Sequence, residues 1–395
     1  MLAEKEVAAP VPSADTDPIF VAIEMSRSKW VVGAHVPASD KVGIYTLDWG
    51  DTAALLTLID RLRSRAAAGT GMADVPVLCC YEAGYEGFWL YRLVTAAGHR
   101  VLVIDPTSLL VNRRAKRAKT DRLDAKAMIR ALMAYNRGED QVLRAVHIPS
   151  VGQEDQRRLM RERRRLIQER TAHTNRIKGL LMTQGIAGFD PRSRDAEQQL
   201  EALATGDARP LGPRLRDELR REIVRLRIVM EQLDAVDAER DAVVLAERLA
   251  PSSADSDRAD VDGPMIAALT RIKGVGPNDA SMLVREAFWR KFTNRREIAA
   301  WSGFAPTPWA SGATSRDQGI TKAGPSSFRA HMLQIAWRWL YWQPQSRLSE
   351  WFKARTSGAT GRLRRVMIVA LARKLLIALW RYATTGLVPT GTVIA

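Results

Sequence analysis

The segment VPVLCCYEA, residues 75–83, decides the fold class of this chain. It is apolar without a break until Glu82, whereas a strand with one face in water would alternate apolar and polar residues. The segment therefore predicts a strand buried on both faces, the position that parallel strands occupy in α/β domains. A second run of the same kind, HRVLVIDP, follows at residues 99–106.

Shorter patterns around these two runs complete an α/β domain. Two β-rich runs and three helical patterns occur at residues 20–26, 29–36, 51–66, 86–97 and 121–136. Their order predicts a mixed sheet with helices over residues 19–148. Residues 1–18 are expected to be a flexible leader and not a signal peptide, because they are polar, acidic and contain proline.

The remainder of the chain has helical patterns. Residues 152–184 and 213–249 are long, highly charged and carry a narrow apolar stripe, which predicts an antiparallel helical hairpin or a coiled coil. The expected divisions are a helical coiled-coil region at 149–255, a compact and mainly helical domain at 263–345, and a basic helical tail at 346–395.

The amino-acid composition narrows the classes of molecule that this protein could bind. The 395 residues include 60 Lys and Arg against 44 Asp and Glu, a net charge of +16, which indicates nucleic acid or, as the other candidate, an anionic membrane surface. The apolar run near the C-terminus is interrupted by Arg373 and Lys374, so it predicts a packing helix and no membrane span. Only Cys79 and Cys80 are present; they exclude a disulfide framework and fit a reducing cytoplasm.

The motif KTDRLDA, residues 119–125, carries the first chemical signal. Asp121 and Asp124 are three residues apart, so a helix that starts here places both carboxylates on one face, where they could share a cation. Residues 111–130 also contain eight Lys and Arg. Carboxylates that hold Mg²⁺ among cations that hold phosphates explain this layout. An ordinary first turn, with acids at the positive end of the helix dipole, is the alternative.

Two further acids occur in the predicted buried strands. Glu24 lies within the first strand and Glu82 ends the central one. A charged group at such a position is costly unless it is paired or metal-bound, and ribonuclease H-like sites need acids at these places. For Glu24, pairing with Arg27 or Lys29 on a half-exposed strand is the alternative. Asp105 competes as a strand-end acid, although the proline that follows it favours a turn role.

The segment LTRIKGVGPNDASML, residues 269–283, predicts a helix-hairpin-helix. Gly274 and Gly276 would let the backbone approach a phosphate, and the amides at the start of the next helix would bind it. A tight connection between two helices is the alternative.

Residues 301–333 form a segment rich in Gly, Pro and Ser, which predicts a loop that precedes a helix. A serine nucleophile in phosphoryl transfer needs nearby cations and a proton acceptor. Arg316, Lys322 and Arg329 could supply the cations, whereas no base is evident in the sequence.

These motifs together resemble the DEDD transposases of insertion sequences, which act as bridge-RNA-guided serine recombinases. The segments that carry the resemblance are VAIEMSRSKW (21–30), CYEAGYEGFWLYRLV (80–94), KTDRLDA (119–125), HTNRIKGLL (173–181), LTRIKGVGPNDA (269–280) and ASGATSRDQGITKAGPSSFRAHML (310–333). The resemblance implies a RuvC-like (ribonuclease H-like) N-terminal domain, a coiled-coil insertion and a C-terminal transposase domain.

The resemblance also implies the catalytic residues. The acidic tetrad that holds Mg²⁺, two ions per site, falls on Glu24, Glu82, Asp121 and Asp124, and the nucleophile falls on Ser311. Tetrad and serine would come from different protomers, which implies a dimer or tetramer. One departure is Glu24, because the family pattern has Asp at this position; the longer side chain has one more torsion to fix.

The function expected on this basis is site-specific recombination of double-stranded donor and target DNA, guided by a structured RNA, in the cytoplasm and at the nucleoid. A metal-dependent nuclease of the Holliday-junction type and a non-catalytic nucleic-acid-binding protein are the alternatives. The residues expected to bind nucleic acid are Arg113, Arg114, Lys116, Arg117, Lys119, Arg157, Arg158, Arg161, Arg164, Arg176, Lys178, Lys273, Gly274, Gly276, Arg316, Lys322 and Arg329.

Overall fold

A computed structural model describes residues 17–37, 39–72, 74–109, 120–139, 141–249, 262–290, 292–311, 314–358 and 361–394. The first sixteen residues of the expected leader lie outside this range. The chain divides into two compact units, Met1–Ile148 and Pro149–Ala395.

The first unit is an α/β domain built on one mixed sheet. Its strands are β1 (Ile19–Met25), β2 (Lys29–His35), β3 (Val42–Asp48), β4 (Val77–Glu82) and β5 (Arg100–Ile104), and its helices are α1 (Thr52–Thr70), α2 (Trp89–Ala96) and α3 (Asp121–Asn136). The spatial order is β3-β2-β1-β4-β5. β2 is antiparallel to both β3 and β1, whereas β4 is parallel to both β1 and β5. The predicted mixed α/β architecture is confirmed, and it is consistent with a ribonuclease H-like domain.

Each face of this sheet has its own hydrophobic core. Ile19, Val21 and Ile23 of β1 pack into a core with residues of α1 and α2. Phe20 and Ala22 pack on the other face with residues of α3. Because side chains alternate along a strand, the next even-numbered residue of β1 belongs to the α3 face. The same alternation puts the end of β4 on that face, since Leu78 and Cys80 lie there.

The second unit contains the predicted pair of long helices, α4 (Val151–Met182) and, after the short α5 (Ala196–Glu201), α6 (Pro213–Leu249). Arg163 of α4 pairs with Asp237 of α6, whereas Arg176, further along α4, pairs with Glu218 nearer the start of α6. The two helices therefore run antiparallel.

The remainder of the second unit is mainly helical. Its elements are α7 (Asp262–Thr270), α8 (Pro277–Leu283), a π-helical turn (Val284–Phe288), α9 (Arg295–Trp301), β6 (Pro306–Ser311), β7 (Thr314–Ile320), α10 (Ser326–Trp342), α11 (Arg347–Thr356) and α12 (Gly361–Thr385). Ile335 and Trp339 of α10 share one core with Leu371 and Leu375 of α12. The segments on either side of the domain boundary expected between residues 345 and 346 thus share one core.

A hairpin replaces the loop expected around the candidate serine. Strands β6 and β7 pair antiparallel, and Ser311 at the end of β6 faces Thr314. Proline is tolerated here because β6 belongs to a two-stranded sheet, where each strand has an unpaired edge, and the register shifts between Pro306 and Pro308. The loop prediction for this segment was therefore wrong: prolines indicated a loop although an edge strand accommodates them.

Other parts of the protein pack directly against the KGVG connection between α7 and α8. Gly274 has φ +93°, and a Cβ atom there would lie 2.7 Å from Cβ of Trp342. The backbone amide of Lys273 donates to the Val393 carbonyl at 3.2 Å, and Nε2 of Gln343 donates to the Lys273 carbonyl at 2.8 Å. Of the two alternatives, these contacts favour a tight connection between two helices. The predicted phosphate-binding helix-hairpin-helix is not confirmed.

The start of α8 is also occupied by one of its own carboxylates. Asp279, only 1% exposed, faces the Gly276 amide and accepts a hydrogen bond from Nη2 of Arg338 at 2.7 Å. Its other partner is His331 of α10, whose Nε2 lies 2.8 Å away. Burial alone would raise the pKa of Asp279, but the hydrogen bonds from His331 and Arg338 outweigh it and lower the pKa below its ordinary value.

None of the helices in the described ranges is both long enough and apolar enough to cross a membrane.

The two glycines of KGVG give a matched test of this packing. Gly274→Ala introduces a methyl group into Trp342 at a positive φ, so we expect it to lower the free energy of unfolding by about 1–3 kcal/mol. Gly276→Ala is the control, because no atom lies within 4 Å of the added Cβ. Urea unfolding of both variants measures the difference. Equal stability of the two would contradict the packing role of Gly274.

Candidate active site and nucleic-acid surfaces

Two of the four predicted acids open into one cavity. Glu24, the residue before the last of β1, and Glu82, the last residue of β4, line a pocket of about 210 Å³ together with the β4–α2 loop. β1 and β4 are parallel neighbours, so their carboxyl ends meet at the same edge of the sheet. Both side chains are half-buried. Because Glu24 and Glu82 both lie near the carboxyl ends of these strands, they line the same side of the pocket.

A third carboxylate, Glu86, lines the same cavity. Its Oε2 atom lies 2.7 Å from the position that a Cβ atom of Gly84 would take. The Glu86 side chain therefore folds back over Gly84, which has no side chain to block it. Sequence analysis missed Glu86 because it lies in a loop, where spacing does not fix the direction of a side chain.

Asp121 and Asp124 lie in the first turn of α3, on the sheet-facing side. Both are half-buried, whereas the intervening Leu123 is exposed, and Ala125 in the next position is fully buried. A Cβ atom at Gly33 of β2 would approach the Ala125 carbonyl oxygen to 3.3 Å, which shows how closely this turn lies on the sheet. Thr120 caps the helix by accepting from the Leu123 amide.

The four acids therefore share one face of the sheet. In this structure no three His, Cys, Asp or Glu side chains of the described ranges are close enough together to hold a metal ion. The donor chemistry nevertheless fits a hard divalent cation, because every donor here is a carboxylate oxygen. The neighbouring thiols are poor competitors. Burial raises the pKa of Cys79 to about 12, and burial reinforced by Cys79 and Glu82 raises the pKa of Cys80 well above its ordinary value, which disfavours the metal-binding thiolate.

Asp105, the competing acid, has a local role. Its Oδ1 accepts from the amide and the hydroxyl of Thr107 at 3.0 and 2.8 Å, which caps the turn Pro106–Ser108. This is the turn role that the sequence favoured.

Ser311 lies at the exposed end of β6. Of the cations expected to assist it, Lys322 is exposed and has a positive φ of 57°. Arg329 is half-buried and donates to the carbonyls of Ser302 and Gly324, so it braces the loop before α10. The side chain of Arg316 lies outside the described part of the chain.

Comparisons with known proteins show which family the chain belongs to. A family model described as "Transposase IS116/IS110/IS902 family" matches residues 266–349, and a second, for the DEDD transposases of IS110, matches residues 50–184. The protein y4rJ of Sinorhizobium fredii, named as a transposase, is 43% identical over 381 residues, covering 96% of this chain and 95% of the relative. The chain belongs to the IS110/IS116/IS902 family of transposases.

More distant relatives of this transposase carry the names of insertion sequences. The transposase for element IS1328 of Yersinia enterocolitica is 26% identical, over 79% of this chain and 85% of its own length. The transposase for element IS1111A of Coxiella burnetii is 27% identical, over 73% and 72%. The protein is thus an enzyme that acts on DNA, and its membership of the DEDD class implies dependence on a divalent metal ion.

The arginines of α4 in this transposase divide into two groups. Arg157 is only 5% exposed; its guanidinium stacks on Trp289 at 4.3 Å and its Nε donates to the Gln153 carbonyl. Burial, reinforced by repulsion from Arg161, lowers its pKa. Arg290 stacks on the same indole at 4.7 Å, and burial with repulsion from Arg157 lowers its pKa to about 10. Arg157 therefore lies inside the protein, away from the exposed surface that nucleic acid could reach.

The other predicted cations of α4 are exposed. Arg161 lies 3.6 Å from Glu286, Arg164 donates to the Ser327 hydroxyl at 2.7 Å, and Arg176 pairs with Glu218. Arg158 pairs with Asp155 at 3.4 Å. Lys178 lines a second cavity of about 210 Å³ near the C-terminal end of α4. The predicted cations Arg113, Arg114, Lys116, Arg117 and Lys119 lie outside the described residues.

Arg157 and Arg158 separate structure from binding in one experiment. Arg157→Ala removes a buried stacking partner of Trp289, so we expect it to lower the free energy of unfolding by about 1–3 kcal/mol. Arg158→Ala should change stability by less than about 0.5 kcal/mol. It should instead weaken DNA binding and reduce the slope of log K against log salt by about one.

Urea unfolding and fluorescence anisotropy at several salt concentrations measure both effects. If Arg157→Ala were as stable as the wild type and lost the same binding as Arg158→Ala, the buried role of Arg157 would be wrong.

Proposed function

We propose that this transposase cuts and rejoins double-stranded DNA through a covalent phosphoserine at Ser311, with Glu24, Glu82, Asp121 and Asp124 as its acidic tetrad. The observation that supports the tetrad is the shared face: Glu24 and Glu82 open into one cavity, and α3 brings Asp121 and Asp124 over the same side of the sheet. Ionisable groups gathered at one edge of a sheet are typical of functional sites.

The proposed reaction begins at the hairpin. The Ser311 hydroxyl loses its proton and its oxygen attacks the phosphorus of a phosphodiester; the bond from phosphorus to O3′ breaks, and O3′ takes up a proton. The products are a 5′-phosphoserine linkage and a free 3′-hydroxyl. Attack of a 3′-hydroxyl from another strand on that linkage reverses these bond changes and rejoins the DNA, which yields strand exchange through a Holliday-junction-like intermediate.

The carboxylates and the cations have separate tasks in this scheme. Glu24, Glu82, Asp121 and Asp124 would hold Mg²⁺, two ions per site, whose positive charge offsets the negative charge that develops on the phosphate. Exposed Lys322 stands in the segment between the hairpin and α10 and would supply a further cation. Charge-assisted contacts with phosphate oxygens fix position without reading sequence.

Target choice is proposed to come from a structured guide RNA. A protein with a net charge of +16 and exposed arginines along α4 binds phosphate backbones, and backbone binding alone carries no sequence information. Base pairing with an RNA would provide it. The active form is proposed to be a dimer or tetramer in which the serine of one protomer works with the tetrad of another.

The serine step has a direct test. End-labelled donor DNA incubated with the protein, its co-purified RNA and Mg²⁺ should yield a labelled DNA–protein adduct on a denaturing gel. Ser311→Ala should still bind DNA and RNA but give no adduct, because the attacking oxygen is missing. Ser315→Ala, a serine of the facing strand β7, is the matched control and should form the adduct as the wild type does.

Two outcomes would contradict the proposal. An adduct that persists in Ser311→Ala would move the nucleophile to another residue. Free 5′-phosphate ends without any adduct in the wild type would favour the alternative function, a metal-dependent nuclease of the Holliday-junction type.

A further inference from the structure

The C-terminal part of the second unit has an unusual charge balance. Residues 326–395 contain eleven Lys and Arg and one acid, Glu350. Helices α10 and α12 contain no Asp or Glu at all. An anionic partner is therefore attracted to this part of the chain without local repulsion.

Exposed aromatic rings lie on the same surface. α10 buries one stripe in the core, which includes Met332, Ile335 and Trp339, and turns a second stripe outward. The outward stripe carries Trp337 and Tyr341, one helical turn apart and 42% and 75% exposed. Trp337 meets the core residue Phe352 edge-on, with 6.3 Å between ring centroids, and still leaves much of its indole in water. Large aromatic side chains exposed at helical spacing indicate a binding surface.

Ring contacts and cations join these residues into one continuous strip. Cζ of Arg364 lies 5.9 Å from the Trp337 ring, Tyr341 meets Trp342 edge-on at 4.9 Å, and Nζ of Lys273 lies 5.6 Å from the Trp342 ring. Three segments of the chain thus contribute three aromatic rings with one cation at each end. We call Arg364, Trp337, Tyr341, Trp342 and Lys273 the aromatic strip.

We propose that the aromatic strip binds single-stranded DNA, with unpaired bases stacked on its rings and phosphates held by its two cations. Aromatic rings that can stack on bases, with cations beside them that can bind phosphates, are the features with which proteins hold a single strand. A duplex hides the faces of its bases, so stacking of this kind selects strands that are already separated. DNA is the occupant we assign, because the transposase family acts on DNA and strand exchange has to separate its strands.

The test uses the full-length protein in EDTA, so that cleavage does not contribute. Four labelled 20-mers are compared by fluorescence anisotropy: single-stranded DNA, its duplex, an abasic strand of the same length, and RNA of the same sequence. The wild type should bind the DNA strand roughly tenfold more tightly than the abasic strand, because only the first offers bases to stack.

The double variant Trp337→Ala/Tyr341→Ala should lose roughly tenfold in affinity for single-stranded DNA and keep its affinity for the duplex. That retained duplex affinity shows that the double variant is folded. Tyr341→Phe keeps the aromatic ring and should bind as the wild type does. Trp49→Ala, which removes an equally exposed indole from the first unit, is the matched control and should bind normally.

Three results would overturn the assignment. The first is a lack of dependence on the rings or the bases. In that case the wild type and the double variant bind single-stranded DNA equally, or the wild type binds the DNA strand and the abasic strand equally. The second is a loss confined to the RNA strand, which would make RNA the occupant. The third is a smaller sedimenting species for the double variant without nucleic acid, which would identify the aromatic strip as a contact between copies of this chain.

Discussion

Alternation of side chains along two parallel strands is the constraint on which the candidate active site depends. Phe20 and Ala22 of β1, with Leu78 and Cys80 of β4, fill the core beneath α3. Glu24 and Glu82 are the next residues of the same two rows, so their position at the edge of that core follows from the pleat. A shift of one residue in either strand would carry its acid to the opposite face.

Close packing of α3 completes the arrangement. Gly33 leaves room for the helix backbone, because a side chain there would press on the Ala125 carbonyl and on Ile129. The first turn of α3 can therefore lie low on the sheet and turn Asp121 and Asp124 inward. The core residues and the acids thus occupy one helical stripe, which is why a change that loosens the core would also displace the carboxylates.

Much of this was predictable from the sequence, for physical reasons that differ between elements. An unbroken apolar run such as the one that ends before Glu82 needs burial on both faces. It therefore specified β4, the central one of the three parallel strands. Glu24 and Glu82 were predicted as candidate acids because charge inside such patterns is conspicuous. The β6–β7 hairpin was missed because proline and glycine indicate a loop as readily as an edge strand. Arg157 was assigned to a nucleic-acid surface because sequence does not show that Trp289 covers it.

The claim that the four carboxylates serve one metal site is tested most directly by anomalous diffraction from crystals grown with Mn²⁺. The account predicts a manganese peak bounded by Glu24, Glu82, Asp121 and Asp124, absent from crystals of Glu82→Gln. Manganese ordered elsewhere, or Asp121 and Asp124 turned away from an empty cavity at saturating Mn²⁺, would contradict it.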